Sequence, residues 1–146
     1  MQPEILIQRL DPDLPLPGYA KPGDAGADVY CRVATTIAPC ERALVPTGIA
    51  IALPVGFVAY LVPRSGLALR AGMTMLNSPG VIDAGYRGEI ACIVHNADAD
   101  ALLTLSRGER IGQLLIMQMP SVSFVEVDAL PGTQRAGDGF GSSGER

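Results

Sequence analysis

Between Ala43 and Val62 the chain runs twenty residues without a charge, long enough to cross a bilayer as a helix. Pro46, Gly48, Pro54 and Gly56 argue against that helix, because proline deletes a helical hydrogen bond and glycine adds backbone entropy that folding must remove. The four breakers leave short pieces rich in Val, Ile and Leu. Such pieces suit two buried strands joined by a Pro54-Val55-Gly56 turn, and no membrane partner is expected.

The same punctuation continues along the chain. Glu4 to Arg9 reads as a strand, and Pro12, Pro15, Pro17 and Pro22 make Asp11 to Gly23 an extended loop. Further strands are expected at Ala27–Arg32, Arg42–Leu53, Phe57–Val62, Gly88–Asn96, Leu102–Leu105, Arg110–Gln118 and Val122–Val127. Each is short and bounded by Gly, Pro, Asn or Asp, the spacing of a β-sandwich or barrel. Only Ser65–Ala71 has the Leu and Ala content of a helix, about two turns long, with Gly72 to end it. The fold class is therefore all-β with one short helix. Residues 1–131 form the expected β domain, and residues 132–146, rich in Gly, Ser and charge, an arm without a core role of its own.

Length and charge narrow the function classes. A chain of 146 residues is one domain, and 48% hydrophobic content is enough to form a core. A formal net charge of −4 disfavours a nucleic-acid polymer, which is gripped by surplus Lys and Arg. A small anion held by a few local arginines stays open. Cys31, Cys40 and Cys92 form neither a CxxC pair nor an even secreted set, so they are read as reduced. Residues 1–10 show no secretory signal pattern, and a cytoplasmic location is expected.

Five segments carry chemistry. Arg64-Ser65-Gly66 opens the helix, where a hydroxyl, backbone N–H groups and a guanidinium can converge on a phosphate, although these residues taken alone favour a plain helix cap beside a surface arginine. Asn77 to Glu89, with Asp83 and Tyr86 among Gly and Pro, presents a carboxylate and an aromatic ring on a hairpin-like loop. That pair could serve a water and a sugar, or be a solvated turn. Asp24 and Asp28 near a strand start could approach a hard cation, directly or through water. Gln113 stands as the one amide inside an apolar strand. Arg135 and Phe140 stand among glycines and serines in the arm, where a ring and a phosphate donor could close over a nucleotide. His95, the single histidine, disfavours a His-rich metal centre and reads as structural. There is no P-loop and no GxGxxG after a strand.

In order, Ala25-Gly26-Ala27-Asp28, Pro63-Arg64-Ser65-Gly66-Leu67-Ala68, Asn77 to Gly88, Arg107 to Gln113 and Arg135 to Gly144 resemble the five motifs of the trimeric deoxyuridine triphosphatases. The resemblance implies a jelly-roll-like homotrimer that converts dUTP to dUMP and pyrophosphate with Mg²⁺. Its sites lie at subunit boundaries, and the C-terminal arm of one chain covers a neighbour's site. It also implies roles. Asp83 activates the water that attacks the α-phosphorus, and Tyr86 packs under the deoxyribose, where a 2′-hydroxyl would collide. Asn77 and the backbone of Val81, Ile82 and Asp83, facing Ala91, read the uracil edge. Arg64, Ser65, Gly66 and Gln113 contact phosphates, and Asp28 organises the waters of the Mg²⁺. Arg135, Ser142 and Ser143 hold the terminal phosphates while Phe140 stacks on the uracil. Two rivals are a dCTP deaminase of the same fold, which would need a second acid in the Asp83 loop, and a non-catalytic trimer that senses nucleotides or binds a protein.

Overall fold

The computed structural model describes residues 3–133. Eleven strands and one helix follow each other: β1 (Leu6–Arg9), β2 (Ala27–Tyr30), β3 (Thr35–Ile37), β4 (Arg42–Pro46), β5 (Ile49–Ala52), β6 (Phe57–Val62), α1 (Ser65–Ala71), β7 (Met73–Met75), β8 (Gly80–Ile82), β9 (Ala91–Asn96), β10 (Leu103–Leu105) and β11 (Arg110–Gln118). Every strand pairing is antiparallel. A four-stranded sheet in the order β2-β11-β6-β8 and a three-stranded sheet in the order β4-β9-β7 are flanked by the pairs β1-β5 and β10-β3. The arrangement is a jelly-roll-like sandwich and not a closed barrel.

The core forms where inward residues of these sheets meet. Val29, Val45, Leu61, Met73, Val94, Leu105 and Ile111 are buried in one apolar cluster, which includes Cys31 and Cys92. Burial of that kind is worth about 1.5–3 kcal/mol for each large aliphatic side chain. All three cysteines are free. Burial pushes the Cys92 thiol up to about 12, which keeps it protonated and inert. His95 Nδ1 lies 3.1 Å from the Glu41 carbonyl oxygen.

Several boundaries differ from the sequence reading. The span Arg42–Leu53 is two strands, because the ladder is interrupted at Gly48, whose φ of 76° suits glycine, and the chain passes from pairing with β9 to pairing with β1. The uncharged stretch thus holds three strands. The Pro54-Val55-Gly56 turn forms, with the Phe57 N–H donating to the Pro54 carbonyl at 3.2 Å, but β5 pairs with β1 and β6 with β11 and β8. Strands β3, β7 and β8 are three residues each, too short for alternation to announce them. Val122–Val127 is not a strand: among the described residues no segment pairs with it, and Phe124 is 98% exposed. Asn77–Glu89 is not a hairpin either, since β8 pairs with β6 while β9 pairs with β4 and β7. Among the described residues, no helix is long and apolar enough to cross a membrane.

Candidate active site

The four-stranded sheet carries two clefts. Side chains paired across antiparallel strands share a face, and successive residues of one strand point to opposite faces. Asp28, Gln113 and Val62 are one registered row across β2, β11 and β6, and all three line a polar cleft with Arg64, Arg110, Asp24 and Gly26. Leu61, the neighbour of Val62, pairs with Gly80 of β8. Leu61 and Gly80 line the second cleft with Asn77, Val81, Ile82, Tyr86, Glu89 and Ala91. The two clefts share no lining residue: one follows the Asp28–Gln113–Val62 row, and the other lies at the β8 edge of the sheet.

Asp28 organises the polar cleft. Its side chain is largely buried, with Oδ1 3.2 Å from Arg64 Nε and Oδ2 3.1 Å from Arg110 Nη1. Arg64 is the N-cap residue of α1, in extended conformation, and its carbonyl accepts the N–H groups of Leu67 and Ala68. Arg64 also donates to the Arg110 carbonyl at 3.3 Å, which ties the helix entrance to β11. Ser65, the first helical residue, is exposed beside it and makes no cap of its own. Gly26 packs directly against Gln113: an added Cβ would lie 2.9 Å from the Gln113 Cβ. Two guanidiniums here face two carboxylates, Asp28 and Asp24, so the cleft by itself carries little net charge. Among the described residues no three His, Cys, Asp or Glu side chains gather as a metal site.

The second cleft, roughly 250 Å³, lies between the β8 edge and the β4–β9 sheet. Asn77, Val81, Ile82, Tyr86 and Ala91, five of the residues expected to read a base and its sugar, come together here. An added Cβ at Gly80 would make ordinary van der Waals contact with Leu61, 3.6 Å from its carbonyl oxygen. Asp83 is exposed at the end of β8, its carbonyl accepting the Tyr86 N–H at 3.0 Å. That bond tightens the turn and sets Tyr86 three residues along. The Tyr86 hydroxyl donates to the Glu89 carbonyl at 3.1 Å. Arg110 and Glu89 were not singled out from the sequence; each lies inside or beside a motif, and only their contacts reveal them. Arg135, Phe140, Ser142 and Ser143 lie outside the described residues.

The model of the dUTPase family matches residues 13–144. The chain belongs to the dUTPase family. Family relatives named deoxyuridine 5'-triphosphate nucleotidohydrolase include that of Streptomyces coelicolor, 54% identical over 97% of this chain and 77% of its own length. The Thermobifida fusca relative is 56% identical over 96% of this chain and 78% of its own. That of Corynebacterium diphtheriae is 51% identical over 96% and 92%. The dUTPase of Staphylococcus bacteriophage 80alpha, solved with dUPNHPP, superposes with a TM-score of 0.90 at 25% identity, covering 97% of this chain and 99% of that one. A mutant dUTPase of phage phi11 of S. aureus, whose structure details coordination of a structural Mg(II) ion, has a TM-score of 0.80 at 20% identity, covering 86% of this chain and 97% of that one.

Proposed function

We propose that this chain hydrolyses dUTP to dUMP and pyrophosphate as a homotrimer, in sites completed by neighbouring copies. The observation that carries the reading is the placement of its two clefts. Ala91 and Tyr86 on the base side and the Arg64–Asp28–Gln113 row line separate clefts with no residue in common. In the proposed trimer a second copy supplies the phosphate-side face. Closed cyclic symmetry then repeats that contact without leaving an open end. The arm beyond residue 131, with Arg135, Ser142, Ser143 and Phe140, covers the nucleotide.

The roles follow from chemistry. The uracil edge meets Asn77 and the backbone of Val81 to Asp83, with Ala91 opposite. Tyr86 lies under the deoxyribose. Asp83 holds and deprotonates a water for in-line attack on the α-phosphorus, and Arg64, Ser65, Gly66 and Gln113 hold the phosphates. Phosphoryl chemistry of this kind needs charge neutralisation and alignment more than a covalent nucleophile.

Mg²⁺ fits these residues as a passenger of the triphosphate. Both Asp28 oxygens are engaged by arginines, so Asp28 meets the ion through its waters, as Mg²⁺ sites commonly allow. The near-neutral cleft leaves most of the triphosphate charge for the metal and the arm's Arg135 to offset. The reaction is placed in the cytoplasm.

Pyrophosphate release from dUTP, dCTP, dTTP and UTP, with Mg²⁺ and with chelator, tests the reading while absorbance follows deamination. Release confined largely to dUTP and abolished by chelator supports it. Deamination of dCTP would replace it with the deaminase, and silence on all four with a nucleotide sensor.

A further inference from the structure

We infer that Glu89 and Arg32 are positioning residues that fix the Tyr86 ring and so set the preference for a deoxyribose; the inference rests on the sugar-facing role proposed for Tyr86. The ring is 47% exposed and is restrained at few points. Below it lies Gly88, where an added Cβ would come within 2.6 Å of the Tyr86 Cζ, so the ring lies across a bare Cα. Its hydroxyl is fixed by the Glu89 carbonyl.

That carbonyl belongs to a peptide gripped from several sides. The Ile90 N–H of the same peptide donates to the Ile49 carbonyl at 2.8 Å. The Glu89 side chain turns back to the same turn, its Oε1 accepting the Gly48 N–H at 2.8 Å. Arg32 Nη1 bridges both Glu89 oxygens at 3.2 and 3.1 Å. Arg32 is itself immobilised: Nη2 donates to the Leu10 carbonyl at 3.3 Å, Nε lies 3.6 Å from Asp11, and its carbonyl accepts from Arg107 at 2.7 Å. Arg107 in turn pairs with Asp11 at 2.6 Å.

A run of alternating charges, Glu89, Arg32, Asp11 and Arg107, therefore spans from the wall of the base-side cleft to the loop that enters β11. Exposed single ion pairs contribute little, whereas a connected, partly buried set with charge-assisted hydrogen bonds holds geometry. Glu89 also lines the base-side cleft. A shift of its carbonyl releases the Tyr86 hydroxyl, and the ring then loses the fixed height against which a 2′-hydroxyl would clash.

The test compares kcat/KM for dUTP and UTP in wild type, Glu89→Ala, Glu89→Gln, Arg32→Lys and Tyr86→Ala, with thermal midpoints measured alongside. Glu89→Ala should lower the dUTP-over-UTP preference about tenfold, within what a displaced positioning contact costs. Glu89→Gln, which keeps an acceptor for Gly48, and Arg32→Lys should fall between it and wild type. These two decide the matter if Glu89→Ala does not fold. Unchanged preference in the Glu89 and Arg32 variants, with lowered midpoints and a lost preference in Tyr86→Ala, reduces the network to a structural role and overturns the inference alone. Unchanged preference in Tyr86→Ala itself overturns the proposed sugar contact and the inference with it.

Discussion

Replacing Gly26 with alanine puts a methyl group 2.9 Å from the Gln113 Cβ and 3.1 Å from its Cδ. Carbon atoms rest at roughly 3.5–4.0 Å, so the two residues must separate by roughly 0.5–1 Å. Gln113 cannot yield by rotation alone, because its Cβ is fixed by the β11 backbone, in register with Val62 and Asp28. Overpacking of this kind costs about 1–3 kcal/mol, and a domain of this size loses roughly 2–4 °C in midpoint per kcal/mol. The larger effect falls on catalysis. If the Gln113 amide holds a phosphate, its displacement removes a hydrogen bond to a charged group worth about 1.5–3 kcal/mol, or about 10–100-fold in kcat/KM for dUTP. Steady-state kinetics and calorimetry on Gly26→Ala, Gln113→Ala and the double variant separate the two effects. Because the first substitution already misplaces the amide, the second should cost little more in its presence. Additive losses, or a Gly26→Ala protein with wild-type midpoint and KM, would refute the reasoning.

Asp83→Asn should lower kcat by about 10²–10⁴ while nucleotide affinity stays near wild type, as expected when a general base is removed; an unchanged kcat removes Asp83 from that role. Phe140→Ala should weaken nucleotide binding by about 1–3 kcal/mol in calorimetric titration if its ring stacks on the base, and equal affinity would deny it that contact. The hydrogen bond from Arg107, aided by the Asp13 N–H, holds the Asp11 carboxyl below its ordinary value. A depressed folded-state value makes this contribution fully present above the ordinary carboxylate range and lost as pH falls through it. Arg107→Gln should therefore narrow the stability difference between pH 6 and pH 3, followed by thermal midpoints across that range at about 0.5-unit steps; an unaltered pH profile would contradict it.

Much of the fold was legible because its strands are bounded by residues with fixed backbone demands. Gly72, with φ of 60°, ends α1 where glycine was expected to end it. Phe57–Val62 and Arg110–Gln118 match their expected spans because both are long and apolar. Pairing was not legible. Nothing local to Ile49–Ala52 says that it joins β1 and not β6, since sheet partners are chosen by the packing of distant side chains. Val122–Val127 misled for the same reason: its composition suits a sheet, but a strand needs a neighbour, and the described residues offer none. The resemblance groups Asp28, Arg64 and Gln113, and then Asn77, Tyr86 and Ala91, and each of these sets lines one cleft, whereas Asp83, Ser65 and Gly66 line neither. Glu89 and Arg110 escaped because a charged residue in a loop or at a strand end is ordinarily solvated. Their partners, Arg32 and Asp28, are 57 and 82 residues away.

If each site draws its base side and its phosphate side from different copies, as proposed, the two clefts of one chain serve different sites. An allele defective on the base side and another defective on the phosphate side damage different surfaces of the chain, so co-expressed subunits can compensate for each other. In randomly mixed trimers of Asp83→Asn and Arg64→Ala chains, about a quarter of the composite sites draw an intact face from each contributor. Two impaired proteins, dissociated and reassembled together, should then regain turnover that neither shows alone.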